Sequence, residues 1–535
     1  MVRNISCSSV SNKFGVLWHR VVLFSFLLTI PFSVLSLFAE QGDASANISN
    51  FPIATTSGRE FALSAAFDGT NYLVGIQGDQ KDHADITAQL VSQTGALVGS
   101  RISVPRTGGA PSVAFDGNNY LMVWGDDANY PNDDIYGQFI STAGTLVGTP
   151  FAINQAAGYQ DQSGLRSVIF DGLNYFVVWG NAPVRDGCND EYGQFVKPNG
   201  QLLGSPIKIN QTGCGGGGTT LTFDGTRILA VWLSEWTSGG TRNGCSGDDC
   251  EAVNVVGQFI TKSGAVTPGA LSGNNFWISE SPVSKHGLSV SFNGTNYLVV
   301  FPEDTGLWNV CGDNGCNYNI SAYLVTTGGT LASAKIAVTS VAGQQRYPFV
   351  AFDGTNYLVT WTDMTDTTNW DIYAQYISNS GTIVGSPFPV DIDKGNQFGG
   401  FTGLAVDGKL FGIVNILDTF DGKIGDVYGM FLSAGTPPKV TTGAATHITK
   451  TSAKLSGIVN PEGLSTTAWF EYGKTSGSYT KKSKKKKNLT GTADLPVRFT
   501  VFSLSPGKKY YYRLTAENEA GASHGSELTF TTLSK

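Results

Sequence analysis

One phrase recurs along this chain and limits what it can fold into. AFDGTNYLVTW (351–361) is nearly repeated as AFDGNNYLMVW (114–124), with fainter copies at 169–179 (IFDGLNYFVVW) and 291–301 (SFNGTNYLVVF). In register, the phrase marks seven units, with turns at Asp68, Asp116, Asp171, Asp224, Asn293, Asp353 and Asp407 spaced 48 to 69 residues apart. Spacing at or above the blade length of propeller repeats implies stacked supersecondary units sharing one continuous core. Each unit holds four short runs rich in Val, Phe, Tyr and Trp, broken by Gly, Asn and Asp, which read as strands. In the second unit these are SVAF, YLMVW, IYGQFIS and the segment around LVGTPFAIN. With 67 glycines and charged residues at only 14%, the composition suits an all-β protein with many tight turns. The expected fold is an all-β seven-bladed β-propeller over residues 47–436.

The seventh unit runs through VYGMFLSAG (427–435) into Pro437-Pro438 without a fourth strand. NFPIAT (50–55) matches the fourth-strand endings PFAIN, SPIKIN and SPFPVD. The N-terminal strand is therefore expected to complete the last blade and remove the open edges of the ring.

Residues 1–46 read as a secretory signal peptide. Arg3, Lys13 and Arg20 precede the apolar run VVLFSFLLTIPFSVLSLF (21–38), and Ala44-Ser45-Ala46 supplies a small-residue cleavage site. An uncleaved anchor is the alternative, since the run is just long enough to span a bilayer. The location implied is secreted, cell-surface or periplasmic. Apart from Cys7, six cysteines remain, an even number that in an exported chain points to disulfides. Cys245–Cys250 and Cys311–Cys316 form local pairs, and Cys188 and Cys214 would pair by elimination.

Charge is unevenly distributed. Residues 47–437 carry 17 Lys+Arg against 34 Asp+Glu, a local −17, whereas residues 438–535 carry 15 against 6, a local +9. The acidic body argues against nucleic acid as its partner.

Function is expected on the connections between the second and third strands. They run 10 to 12 residues in five units but 23 and 18 in the fourth and fifth, which also carry the local cysteine pairs. Long, stapled loops on a rigid scaffold are where recognition concentrates. Trp236, Trp308 and Trp370 do not recur from unit to unit, and with Tyr130, Asp127 and Asp134 they are the candidate ligand-binding residues. Rings beside carboxylates suit sugar binding, the ring against a pyranose face and the carboxylate on its hydroxyls. Asp363, Asp366 and Asp371 in DMTDTTNWD are the candidate Ca²⁺ ligands, without the spacing of a recognised calcium loop. A blander reading makes Asp85, Asp134, Asp371 and Asp426 turn caps at the entry to the third strand. The Asp-Gly of the repeat is likewise read as turn punctuation. Trp124, Trp179, Trp232 and Trp361, which recur, are read as packing between units.

Within the repeat region His83 and His286 are the sole histidines, with no metalloprotease or nucleophile-elbow pattern. A binding or adhesion protein is the leading reading. A secreted carbohydrate-active hydrolase or lyase using two carboxylates is the alternative, and a structural surface or matrix component is a third.

After Pro437-Pro438 the chain changes character. SAKLSGIVNP (452–461), TAWFEYG (467–473) and LSPGKKYYYRLTAENEAG (504–521) resemble a fibronectin type III domain, with Leu504, Pro506 and Tyr510 in its Leu-x-Pro-x-x-x-Tyr pattern. The resemblance implies a β-sandwich over 437–535 with a tyrosine corner. The repeats are similar to those of exported bacterial propeller proteins, a similarity that implies no chemistry. KKSKKKK (481–487) is expected on a loop, either as a solvated, mobile run or as a patch for an anionic polymer; it could also touch the acidic repeats.

Overall fold

In the computed structural model the described residues run from 50 to 534. The exceptions are 56–59, 79–83, 129–131, 162–166, 183–189, 212–217, 235–253, 264–270, 282, 284, 286, 306–316, 342, 367–368, 392–395, 402–408, 418–424, 434–436, 463, 492 and 519–520. Residues 44–535 cluster as one unit that leaves out residues 1–43. Every element among the described residues is a strand, and the chain is all-β.

From Phe61 onward the same antiparallel sheet recurs, its strands, here a to d, paired in chain order. The first two sheets are Phe61–Phe67, Asn71–Gln77, Asp85–Ser92, Leu97–Thr107 and Gly109–Phe115, Asn119–Asp126, Asp134–Ser141, Leu146–Asn154. The third pairs both Tyr159–Asp161 and Val168–Phe170 with Tyr175–Ala182, followed by Asp190–Val196 and Leu202–Lys208. The fourth and fifth begin at Thr220–Phe223 and Ser289–Phe292, and the sixth is Gln345–Phe352, Asn356–Asp363, Asp371–Ser378, Ile383–Asp391. The last takes Asn396–Phe401, Lys409–Leu417 and Gly425–Ser433 from its own stretch of chain and Asn50–Ala54 as its fourth strand. Pro52 pairs with Tyr428 and Ala54 with Val427, so the N-terminal strand lies where the sequence expects it. Repetition of four-stranded sheets gives the chain β-propeller character.

The recurring phrase explains the repetition physically. Asp68, Asp116, Asp171, Asp224, Asn293 and Asp353 each accept, through Oδ1, the backbone amides two and three residues on, at 2.6 to 2.8 Å. The following glycine stands at a φ of 90° to 99°, the left-handed region that a Cβ disfavours. The next aromatic then ties one sheet to its predecessor. The Tyr120, Tyr175 and Tyr357 hydroxyls donate to the carbonyls of Asn71, Asn119 and Asn296, and Tyr297 donates to the Asp224 carboxylate. Burial pushes all four phenols up.

Cores lie between consecutive sheets. Trp124 packs with Leu73 and Ile86, Trp179 with Leu121 and Val123, Trp232 with Phe176 and Phe195, and Trp361 with Leu298 and Ile320. The recurring tryptophans are therefore packing residues. A strand-c glutamine stitches the c–d register break: Gln89, Gln138, Gln194 and Gln375 donate both to the next carbonyl and to a strand-d carbonyl.

Residues 439–531 form a separate pair of sheets around one core containing Leu455, Val497, Phe470, Tyr512 and Leu514. One sheet is Lys439–Thr446, Ala453–Asn460, Leu495–Val501. In the other, Thr466–Gly473 and Lys509–Asn518 are central. The Tyr510 hydroxyl accepts the Ser505 amide at 2.9 Å, the contact a tyrosine corner makes. The lysine run differs in part from its expectation, with residues 483–485 outside the strands. Lys481–Lys482 and Lys486–Leu489 pair with Thr466–Gly473 as an edge of the sheet. An edge strand needs only backbone partners on one side, so side chains with low β-propensity can occupy it and remain in water.

Candidate functional site

Because the strands alternate in direction, the a–b and c–d turns share one end of each sheet and the b–c and d–a connections share the other. At the b–c end, the last residue of strand b faces the first of strand c. In the second sheet these are Asp126 and Asp134; in the sixth, Asp363 and Asp371. Like charges directly opposed across a ladder repel, and the two sheets relieve this differently.

In the second sheet a guanidinium intervenes. Arg106, from the end of the preceding strand d, donates to fully buried Asp126 through Nε at 2.6 Å and Nη2 at 3.0 Å, and lies 3.7 Å from the Tyr136 ring centroid. This bidentate, charge-assisted geometry is the strongest that Arg makes with a carboxylate. Asp134, also buried, accepts Gln155 Nε2 at 3.2 Å, and half-buried Asp127 accepts the Thr107 hydroxyl at 2.8 Å. Asp127 and Asp134 are thus engaged within the fold.

The sixth sheet has amide donors in place of the guanidinium, and its Asp371 carboxyl is pushed up. Asp371 accepts Asn369 Nδ2 at 2.7 Å, while Asp363 accepts the Thr365 amide at 2.9 Å. Burial, then the charges of Asp363, Asp391 and Asp366, push the Asp371 carboxyl up to about 6. Asp391 closes strand d of the same sheet and accepts Asn50 Nδ2 at 2.5 Å. Asp366 is exposed. Trp370 is half-buried, its amide donating to Asn396 Oδ1 at 3.2 Å and its carbonyl accepting the Gln397 amide at 3.0 Å. Both bonds go to strand a of the next sheet, so the backbone under this ring is fixed. The structure therefore brings Trp370, Asp363, Asp366 and Asp371 together. Among the described residues, no group of three or more His, Cys, Asp or Glu side chains has a metal-holding arrangement.

Tyr130, Trp236, Trp308, Cys188, Cys214, Cys245, Cys250, Cys311 and Cys316 lie outside the described residues.

Two residues at this end escape sequence reasoning. Arg106 is one, because nothing local tells which carboxylate a residue leaving strand d will meet. Lys285 is the other, almost fully buried, with Nζ donating to the Ser281 and Val283 carbonyls at 3.2 Å each. Burial pushes its ammonium down to about 8. Gln160 makes the same pair of bonds, to the carbonyls four and two residues back, Ala156 and Gly158. Both bind the d–a connection to the start of strand a.

No known family model matches the chain, and no curated protein matches it. Among solved structures, the chain is similar to Kuenenia stuttgartiensis hydrazine synthase at 13% identity, covering 70% of this chain and 95% of that one, with a TM-score of 0.42. The β-propeller domain of the Trilobed protease from Pyrococcus furiosus, which has an open velcro topology, is 10% identical over 71% of this chain and 97% of that one, with a TM-score of 0.40. The sensor domain of the anti-sigma factor RsgI4 in Pseudobacteroides cellulosolvens is 26% identical over 19% of this chain and 98% of that one, with a TM-score of 0.16. None of these scores reaches 0.5, and none bears on activity or ligand.

Proposed function

We propose that this chain is an exported binding or adhesion protein that recognises carbohydrate or a surface partner through the b–c end of its repeats. In this reading residues 1–46 are a signal peptide removed on export, and residues 47–436 form a seven-bladed β-propeller closed by the N-terminal strand. A fibronectin type III domain follows at 437–535. The cysteine pairs 188–214, 245–250 and 311–316 are disulfides that brace the recognition loops.

The observation that carries the proposal is the contrast between the two ends of the sheets. At the a–b end, one Asx turn recurs with its amides satisfied internally. At the b–c end, Trp370, its backbone tied to the next sheet, directly precedes Asp371, whose carboxyl feels the charges of Asp363 and Asp366. A ring held in place beside hydrogen-bond acceptors is the chemistry of sugar recognition. The three aspartates do not make a metal-holding group, and in this reading they act as acceptors for sugar hydroxyls. A glycan array run with and without EDTA tests the reading. Binding without product release supports it, and silence on the array refutes it.

A second reading has its own observation. A carboxyl pushed up to about 6 by burial and neighbouring carboxylates is the kind of group acid-assisted glycoside cleavage uses. Release of reducing sugar by the purified chain, lost in Asp371→Asn, would select a carbohydrate-active hydrolase instead.

A further inference from the structure

The C-terminal sandwich carries a cavity and a charged edge that the recognition face does not use. The cavity, of about 380 Å³, is lined by Lys474 and Lys481 together with Ser478, Thr480, Ser505 and Tyr510. One of its two cations meets a hydroxyl. Lys474 Nζ donates to Ser505 Oγ at 3.0 Å and lies 5.9 Å from the Tyr510 ring centroid. No carboxylate contributes to the lining. From the rim, the chain runs directly into the edge strand, and Lys481 belongs to both. Residues 484–487 along that edge are exposed lysines. Among the described residues, Lys482 alone of the run makes an ion pair, 3.2 Å from Glu471, which also holds Arg513.

We propose that this cavity and the edge leading from it bind an acidic polysaccharide, with a carboxylate or sulfate group seated between Lys474 and Lys481 and further acidic groups along Lys484–Lys487. Charge fits the ligand to the site, because closely spaced ammonium groups on an extended strand attract a linear polyanion. The hydroxyl lining fits it to a sugar rather than to a nucleobase. Flat rings on this sheet are already capped: Lys482 and Lys485 stand 5.2 and 4.6 Å over Trp469, and Lys509 stands 5.0 Å over Tyr511. Trp469 is in addition buried. Phe502, beside cavity-lining Ser503, is the one exposed Phe, Tyr or Trp ring of this sandwich among the described residues, so single-stranded nucleic acid would find one stacking partner rather than a platform for successive bases.

The test uses the full chain against immobilised heparin (sulfated), polygalacturonate (carboxylated), dextran (neutral) and single-stranded DNA. The site predicts binding to heparin or polygalacturonate, a steep loss of affinity with added salt, and none to dextran. K474Q/K481Q should weaken that binding roughly tenfold, and K474R/K481R should restore it. Both positions are exposed, so the fold tolerates either pair. Preference for heparin identifies sulfate as the recognised group, and preference for polygalacturonate identifies carboxylate. Absence of binding to both polysaccharides, indifference to K474Q/K481Q, or tighter binding of DNA would each overturn the proposal. The K474Q/K481Q comparison separates this site from the repeats, because sugar bound at the b–c end would not respond to that substitution.

Discussion

Asp363 and Asp371 face each other across strands b and c of the sixth sheet, and burial together with this opposition lifts the Asp371 carboxyl to about 6. The second sheet places Asp126 opposite Asp134 in the same way but inserts Arg106. The comparison separates an acid pair held by a guanidinium from one in which the Asp371 carboxyl is pushed up instead.

The raised Asp371 carboxyl predicts a pH dependence of stability. The folded state holds the Asp371 proton up to about pH 6, whereas an unfolded chain releases it near 3.8. Between these values the native state binds more protons, so this residue's contribution falls as pH rises and levels off above 6. In urea unfolding, Asp371→Asn should raise the midpoint at pH 7 relative to the parent and leave it nearly unchanged at pH 4. An equal shift at both values would remove Asp371 from the account.

The neutralised pair predicts a large cost for losing its cation. Arg106→Ala leaves Asp126 buried without its partner and should destabilise the chain by roughly 3 kcal/mol. Adding Asp126→Asn should recover much of that. Urea midpoints of the two singles and the double measure the coupling, and additive single effects would contradict it.

The repeated Asp-Gly predicts tolerance of amide and intolerance of truncation. Asn293 already performs the turn's task, with 2.8 Å bonds to the amides of Thr295 and Asn296. Asp116→Asn should therefore cost little, while Asp116→Ala should cost about 1 kcal/mol. Gly117→Ala should also cost about 1 kcal/mol for its left-handed backbone. An added Cβ at Gly117 meets nothing within 4 Å, so that cost is conformational rather than steric.

The N-terminal strand predicts an effect felt far away in sequence. Phe51 packs on Phe431 and Phe411 with ring centroids 5.3 and 6.4 Å apart, and a Cβ at Gly429 would come within 2.3 Å of its ring. Phe51 is half-buried, so Phe51→Ala should cost up to about 3 kcal/mol, the low end for losing a phenyl ring. Removal of residues 47–58 should lower the thermal midpoint of the repeats as a whole. A truncated chain that melts like the intact one would mean the strand adds nothing to closure.

How much of this was legible in the sequence depended on range. The turn at Asp116, the packing role of Trp124 and the location of Asn50–Ala54 follow from local pattern, because each repeats or matches a repeat. Arg106 on Asp126 was not legible, since its meaning lies in a contact between neighbouring sheets. Lysine 481 was misread as a loop residue because charge runs ordinarily mark solvated loops, yet an edge strand is solvated as well. Trp370 was legible as a ligand candidate by failing to recur, but its backbone bonds to Asn396 and Gln397 were not.

The central claim is that recognition belongs to the b–c end and punctuation to the a–b end. Titration of a glycan selected on the array against the parent, Trp370→Ala and Asp116→Asn tests it directly. Loss of a stacking ring predicts at least about tenfold weaker binding for Trp370→Ala, with Asp116→Asn matching the parent. Equal affinity of Trp370→Ala and the parent, or a loss confined to Asp116→Asn, would contradict it.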